Sequence, residues 1–141
     1  LAAADLNSDG ISDVIVAQSV PPLGVNGSVT TLLNDGVGNL TTRVEYPTLG
    51  FEQLYNDITT VDLNGDGRLD VAALNRNSLS VLFNQGDGTL VGHVDYPTME
   101  GTQAVVGADL NGDGRSDLLT VGPGIDVATS SVRVKLNTCL P

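Results

Sequence analysis

Cysteine and histidine each occur once in this chain of 141 residues, tryptophan never, and lysine and arginine together only six times. Each scarcity removes a class of function. Cys139 forms no disulfide within the chain, so it is a free thiol or pairs with something outside this stretch. One cysteine and one histidine do not furnish the nitrogen and sulfur shells of zinc or iron sites. Neither reads as a catalytic group. Cys139 has no histidine placed to activate it, and His93 lies on the polar side of a strand pattern, where Arg43 holds the same place one repeat earlier. Six scattered cations make no electrostatic footprint for nucleic acid. No apolar run approaches the roughly 20 residues that a membrane-spanning helix needs.

Glycine and acid are plentiful instead. There are 17 glycines and 17 aspartates and glutamates, for a net charge of −11. Hydrophobic residues make up 40%, enough to bury the core of one ordinary domain. Valine, threonine, asparagine and glycine dominate, which suits short strands and turns.

Nine of the acidic residues fall in one phrase written three times: D-L-N-S-D-G-I-S-D from Asp5 to Asp13, D-L-N-G-D-G-R-L-D from Asp62 to Asp70, and D-L-N-G-D-G-R-S-D from Asp109 to Asp117. Each copy sets side-chain oxygens at positions 1, 3, 5 and 9 and a glycine at position 6. Oxygens at alternate residues around a tight turn are a way to wrap a hard cation. Ca²⁺ fits best, because it accepts six to eight oxygens in a flexible shell; Mg²⁺ demands a rigid octahedron and keeps its waters. Three sites are expected. The first takes Asp5, Asn7, Asp9, the carbonyl of Ile11, and Asp13. The second takes Asp62, Asn64, Asp66, the carbonyl of Arg68, and Asp70. The third takes Asp109, Asn111, Asp113, the carbonyl of Arg115, and Asp117. The competing reading is a set of Asx turns that hold no metal.

The loops are not EF-hands. Position 12 is Val16, Ala73 or Thr120, none a bidentate acid. Short β-rich runs follow each loop: Val14 to Ala17, Val71 to Leu74, and Leu118 to Val121. The loops therefore join strands. Three divalent cations would bring the formal charge from −11 to −5, so much of the acidity is ligand charge. Without metal, each loop gathers like charges.

A longer repeat of roughly fifty residues contains the loop. A second phrase runs Ser28 to Asn34, Ser78 to Asn84 and Ser131 to Asn137. Glycine turns follow at Asn34 to Leu40 and Asn84 to Leu90, then R-V-E-Y-P-T at Arg43 to Thr48 and H-V-D-Y-P-T at His93 to Thr98. Each repeat reads as four strands. The first precedes the aspartate loop (Leu1 to Ala4, Asp57 to Val61, Ala104 to Ala108) and the second follows it. The third is the Ser-to-Asn phrase, and the fourth runs Leu40 to Tyr46 or Leu90 to Tyr96, with Pro47 and Pro97 just beyond. Period-2 alternation puts Leu90, Val94 and Tyr96 on one face and His93 and Asp95 on the other. It likewise sets Val132, Val134 and Leu136 against Arg133 and Lys135. Four antiparallel strands per repeat make a β-propeller blade, so the expected class is all-β with about three blades. The repeats divide the chain as 1–48, 49–98 and 99–141.

The D-L-N-G-D-G-x-x-D loop, the apolar strand after it and the N-x-G-x-G turn resemble FG-GAP/VCBS repeats. Those build the propellers of integrin α subunits and of many secreted proteins. The resemblance implies a calcium loop between the first two strands of each blade. It also implies a propeller that usually has seven blades, so residues 1–141 are expected to be a partial one. The third repeat departs from the pattern: after Asn137 come Thr138-Cys139-Leu140-Pro141, with no glycine turn and no fourth strand. Three blades are too few to close a ring. The open edges call for the rest of a longer chain or further copies of the same chain. The chain opens at Leu1 without methionine, so it reads as processed, cut or only partly represented.

Function is expected in binding, not catalysis. A calcium-stabilised extracellular or cell-surface module for adhesion, ligand binding or scaffolding comes first, because open calcium loops suit millimolar calcium. A carbohydrate-binding propeller and a self-assembling structural protein are the alternatives. A protein or glycan ligand would meet the loops opposite the aspartates. These join second to third strands (Ser19 to Gly27, Arg76 and Asn77, Gly122 to Ser130) and fourth to first (Leu49 to Asn56, with Phe51 and Tyr55). No triad, phosphate cradle or open metal position is visible, so the chain is expected not to be an enzyme.

Overall fold

Alternation of β-branched and aliphatic residues with polar ones produces eleven strands and no helix among the described residues, in a computed structural model that describes residues 1–18, 27–48, 57–75, 77–123 and 130–137. Three antiparallel sheets form in chain order. The first holds β1 (Ala2–Ala4), β2 (Asp13–Gln18), β3 (Ser28–Asn34) and β4 (Leu40–Pro47). The second holds β5 (Asp57–Val61), β6 (Asp70–Leu74), β7 (Ser78–Asn84) and β8 (Leu90–Pro97). The third holds β9 (Ala104–Ala108), β10 (Asp117–Pro123) and β11 (Ser130–Lys135), with β9 and β11 at its edges. Each sheet is a meander of neighbours in sequence, as the repeat implies. Among the described residues no helix is long and apolar enough to cross a membrane.

The sheets are blade-like units stacked face to face. The middle strand β6 shows how. All five of its residues are buried, although strands of this kind usually wet one face. Its alternation splits them between two cores. Val71 and Ala73 join Leu82 and Leu90 against Ala4, Leu6, Ile15 and Val29 of the first repeat. Ala72 and Leu74 join Leu79 and Val81 against Val105 and Leu118 of the third. The inner strands β6 and β7 of the second sheet are thus covered on both faces, while most of β8 is exposed. The far face of the third sheet is uncovered: Val106, Val132 and Val134 are exposed.

One expectation about faces is corrected. Leu82 pairs with His93, Phe83 with Val91 and Asn84 with Leu90, so Gly92 has no partner opposite it. This β-bulge sits at φ +53°, a left-handed conformation that glycine takes without a Cβ penalty. The extra residue turns Leu90 over. Leu90 shares a face with His93 and Asp95 and packs toward the first sheet, while Val94 and Tyr96 face the third. A similar register shift at Leu33 and Asn34 leaves Thr41 unpaired in β4. Pro47 and Pro97 are the last paired residues of their strands, opposite Ser28 and Ser78.

Candidate functional site

The three aspartate phrases form the connections β1–β2, β5–β6 and β9–β10. Their backbones repeat one another. Gly10, Gly67 and Gly114 at position 6 have φ of +85°, +82° and +82°. Position 4 is also left-handed: Gly65 and Gly112 at +78° and +79°, but Ser8 at +62° in the first loop. Sequence reasoning required glycine only at position 6. The glycine at position 4 in two copies carried the missing signal.

The side-chain oxygens serve the loops' own N–H groups. Asp62 accepts from Gly65 N at 2.7 Å and Gly67 N at 2.9 Å, and Asp109 accepts from Gly112 N and Gly114 N at the same two distances. Asp5 accepts from Gly10 N at 2.8 Å and Asp9 N at 3.2 Å. Asn7, Asn64 and Asn111 accept from the N–H two residues on, and so do Asp9, Asp66 and Asp113. These are Asx turns, the conformation that the metal-free reading of the motif expects. The N–H groups of Gly114 and Gly112 hold the Asp109 carboxyl below the ordinary aspartate range.

Position 9 differs from the other three. Asp13, Asp70 and Asp117 are each fully buried. One oxygen accepts the N–H of the loop's second residue, Leu6, Leu63 or Leu110, each at 3.0 Å. The other accepts the N–H of Asn34, Asn84 or Asn137, at or just past the end of the third strand, at 2.9, 2.9 and 2.7 Å. One carboxylate thus ties the loop's start to the far end of the third strand, where the glycine turn begins in the first two repeats. Burial pushes the Asp70 carboxyl above its usual range, with the like charges of Asp66 and Asp62 adding to the effect against the two N–H donors.

In the first two repeats the same bonds place the aspartate loop beside its own glycine turn. Ile11 and Arg68 side chains lie against Gly36 and Gly86. The opposite end carries the other connections, where Thr48 N donates to Gly27 O and Thr98 N to Asn77 O, both at 2.9 Å. Of the loops proposed there for a protein or glycan ligand, residues 19–26, 49–56, 76 and 124–129 lie outside the described residues. Phe51, Tyr55 and Cys139 lie outside them too.

Hard oxygen donors at positions 1, 3, 5 and 9 fit the chemistry of a divalent cation. As arranged here they turn to backbone N–H groups, and no group of three or more His, Cys, Asp or Glu converges on a metal position among the described residues. No catalytic cluster is present among those residues either. His93 Nε2 pairs with Asp95 Oδ2 of its own strand at 2.8 Å, on the polar face expected of it.

The sequence missed the polar ties between sheets. Asn84 Nδ2 donates to Leu6 O at 2.9 Å, and Asn137 Nδ2 donates to Leu63 O. Tyr46 Oη accepts from Leu90 N at 2.9 Å, and Asp57 Oδ2 from Val105 N at 3.0 Å. The asparagines were legible as a recurring letter, but their partners sit one repeat back.

Stacked antiparallel sheets, each with an aspartate loop between its first two strands, define a repeat β-sheet module. The chain belongs to the FG-GAP-like repeat family, whose sequence profile matches residues 5–73 and again residues 62–120. No curated protein and no solved structure matches it.

Proposed function

We propose that this chain is a calcium-stabilised β-propeller module of an extracellular or cell-surface protein, serving adhesion, ligand binding or scaffolding. The observation that carries the reading is the recurrence of one oxygen-rich loop at the same place in three consecutive blade-like sheets. Asp5, Asn7, Asp9 and Asp13 with the Ile11 carbonyl hold the first Ca²⁺. Asp62, Asn64, Asp66 and Asp70 with the Arg68 carbonyl hold the second. Asp109, Asn111, Asp113 and Asp117 with the Arg115 carbonyl hold the third. The cation supplies charge neutralisation where three aspartates crowd one turn, and it clamps the first strand of a sheet to the second. At a tenfold excess over Kd each site contributes about 1.4 kcal/mol. Thermal melting in calcium and in chelator tests this. The expected result is a lower Tm in chelator, and identical curves would sink the calcium reading.

The module's partners include further blades, from a longer propeller chain or from other copies. The apolar far face of the third sheet, with Val106, Val132 and Val134 exposed, supports this. So does the first sheet, whose outer face carries Val14, Val16 and Leu32 only partly buried. Those two faces correspond to the two sides of the junction already formed between consecutive sheets. Mass measurement in calcium and in chelator separates a monomer from a head-to-tail assembly.

A further inference from the structure

The second residue of an aspartate loop is where the loop meets the next sheet. Leu6 lies between Asp5 and Asn7, and its side chain is fully buried in the core shared by the first and second sheets. Leu63 lies between Asp62 and Asn64 and joins the core shared by the second and third. Each of these leucines shares both its peptide groups with candidate ligand residues. Two bonds hold those groups from opposite sides of the junction. The Leu6 N–H donates to Asp13 of its own loop at 3.0 Å, while the Leu6 carbonyl accepts Asn84 Nδ2 of the second sheet at 2.9 Å. One repeat on, the Leu63 N–H donates to Asp70 at 3.0 Å, and the Leu63 carbonyl accepts Asn137 Nδ2 of the third.

The asparagine works on two loops with two different groups. Its main chain serves its own repeat: Asn84 N donates to Asp70 Oδ1 at 2.9 Å, and Asn137 N to Asp117 Oδ1 at 2.7 Å. Its side chain serves the repeat before. Asn84 Oδ1 accepts Gly86 N at 2.9 Å, which fixes the orientation of the amide. Asn84 is 1% exposed, so its bond to Leu6 is shielded from water. The sheets have other anchors beside it. The Leu33 side chain lies against Gly88, Thr31 Oγ1 donates to Gly88 O at 3.4 Å, and Leu90 N donates to Tyr46 Oη at 2.9 Å.

We propose that Asn84 is a positioning residue for the cation of the first loop and Asn137 for that of the second, so that each loop reaches its full calcium affinity only when the following sheet supplies this amide. The inference rests on the calcium reading and adds to it a residue outside the loop. Its physical basis is preorganisation. A cation must be met by Asp5 and Asn7 together, and the Leu6 backbone between them sets their spacing. Pinned at its N–H by Asp13 and at its carbonyl by Asn84, that segment is ordered before the cation arrives, so binding has less freedom to remove. By reciprocity, a bound cation favours the docked junction by the same factor. Calcium binding and sheet stacking are then one linked equilibrium.

The test is calorimetric titration of Ca²⁺ into chains that keep one site. Asp66→Ala with Asp113→Ala leaves the first loop, and Asp9→Ala with Asp113→Ala leaves the second. A cooperative melt in chelator shows that each chain is folded. Adding Asn84→Ala is expected to weaken calcium about fivefold or more at the first loop and to leave the second within about twofold, because alanine keeps the N–H that Asp70 accepts. Asn137→Ala is expected to do the reverse, weakening the second loop and sparing the first. A role confined to holding the sheets together would lower the melting temperature without this crossed pattern. Unchanged affinity at both loops, or equal losses at both, overturns the proposal and leaves the calcium reading standing. If Asn84→Ala fails to melt cooperatively, Asn137→Ala decides alone: a loss confined to the second loop supports the proposal, and any other result overturns it. A parent chain that takes up no calcium and melts identically in chelator overturns the calcium reading and this inference with it.

Discussion

Asn84 Nδ2 donates to the carbonyl oxygen of Leu6 at 2.9 Å, a buried bond between residues 78 positions apart. It joins the end of the second sheet's third strand to the first sheet's aspartate loop. Asn137 makes the same bond to Leu63. Asn34 has no earlier sheet to reach among the described residues, and its amide turns to Ser12 O of its own repeat at 3.1 Å. The side chain therefore has two uses, and the presence of a preceding blade selects between them.

Asn84→Ala should destabilise the stack by about 1–3 kcal/mol, because the buried Leu6 carbonyl loses its donor and has no route to water. Asn34→Ala should cost under about 1 kcal/mol, since the carbonyl of Ser12 lies at an exposed position. Urea titration of both variants checks the difference. Equal losses would show that the amide stabilises its own hairpin, not the junction.

Ser8→Gly should stabilise the protein. Ser8 holds φ +62° where the other two loops place glycine. A left-handed conformation costs a residue with a Cβ about 1 kcal/mol, and glycine's larger unfolded-state entropy offsets part of the relief. The expected net gain is about 0.5 kcal/mol. The reverse change, Gly65→Ser, should lose a similar amount. The urea midpoint at constant m measures both.

Strand order and the position of each aspartate loop were legible because the repeat states them twice or three times, and period-2 alternation survives wherever pairing is regular. The facing of Leu90 was not, because alternation counts residues and a bulge adds one. Gly92 was the available sign, a glycine inside a strand pattern. Spacing treats the carboxylates at positions 1, 5 and 9 alike, so the second role of position 9 as a clamp was not legible. Only burial separates Asp70, wholly enclosed between two N–H donors, from Asp66 on the surface of the same loop.

Acid should weaken the two glycine turns. Asn39 Nδ2 donates to Asp35 at 2.8 Å, with the N–H groups of Val37 and Asn39 both at 3.0 Å, and together they hold the Asp35 carboxyl below 3.8. Thr89 does the same for Asp87 through its hydroxyl and N–H. A carboxyl depressed on folding binds fewer protons in the native state than in the unfolded one. Its contribution is present above the unfolded value of 3.8 and fades as pH falls through the lower folded value. Asp35→Asn with Asp87→Asn should therefore be less stable than the parent at pH 6 and approach it at pH 2.5. Urea midpoints across that range, in chelator throughout, test the convergence.

Asp66→Ala and Asp70→Ala should separate cation binding from structural clamping within one loop. Asp70 is fully buried and accepts Leu63 N at 3.0 Å and Asn84 N at 2.9 Å. Alanine there leaves two donors without an acceptor, at about 1–3 kcal/mol each. Asp66 accepts Arg68 N at 2.9 Å and Asn64 Nδ2 at 3.0 Å in exposed surroundings, where water replaces it. In chelator, Asp66→Ala should melt within about 2 °C of the parent, while Asp70→Ala should melt many degrees lower. In calcium at a tenfold excess over Kd, Asp66→Ala should lose the roughly 1.4 kcal/mol of one site and nothing more. If Asp66→Ala in chelator is as damaging as Asp70→Ala, its turn is part of the fold's frame. If it leaves the calcium response whole, the second loop is an Asx turn and not a cation site.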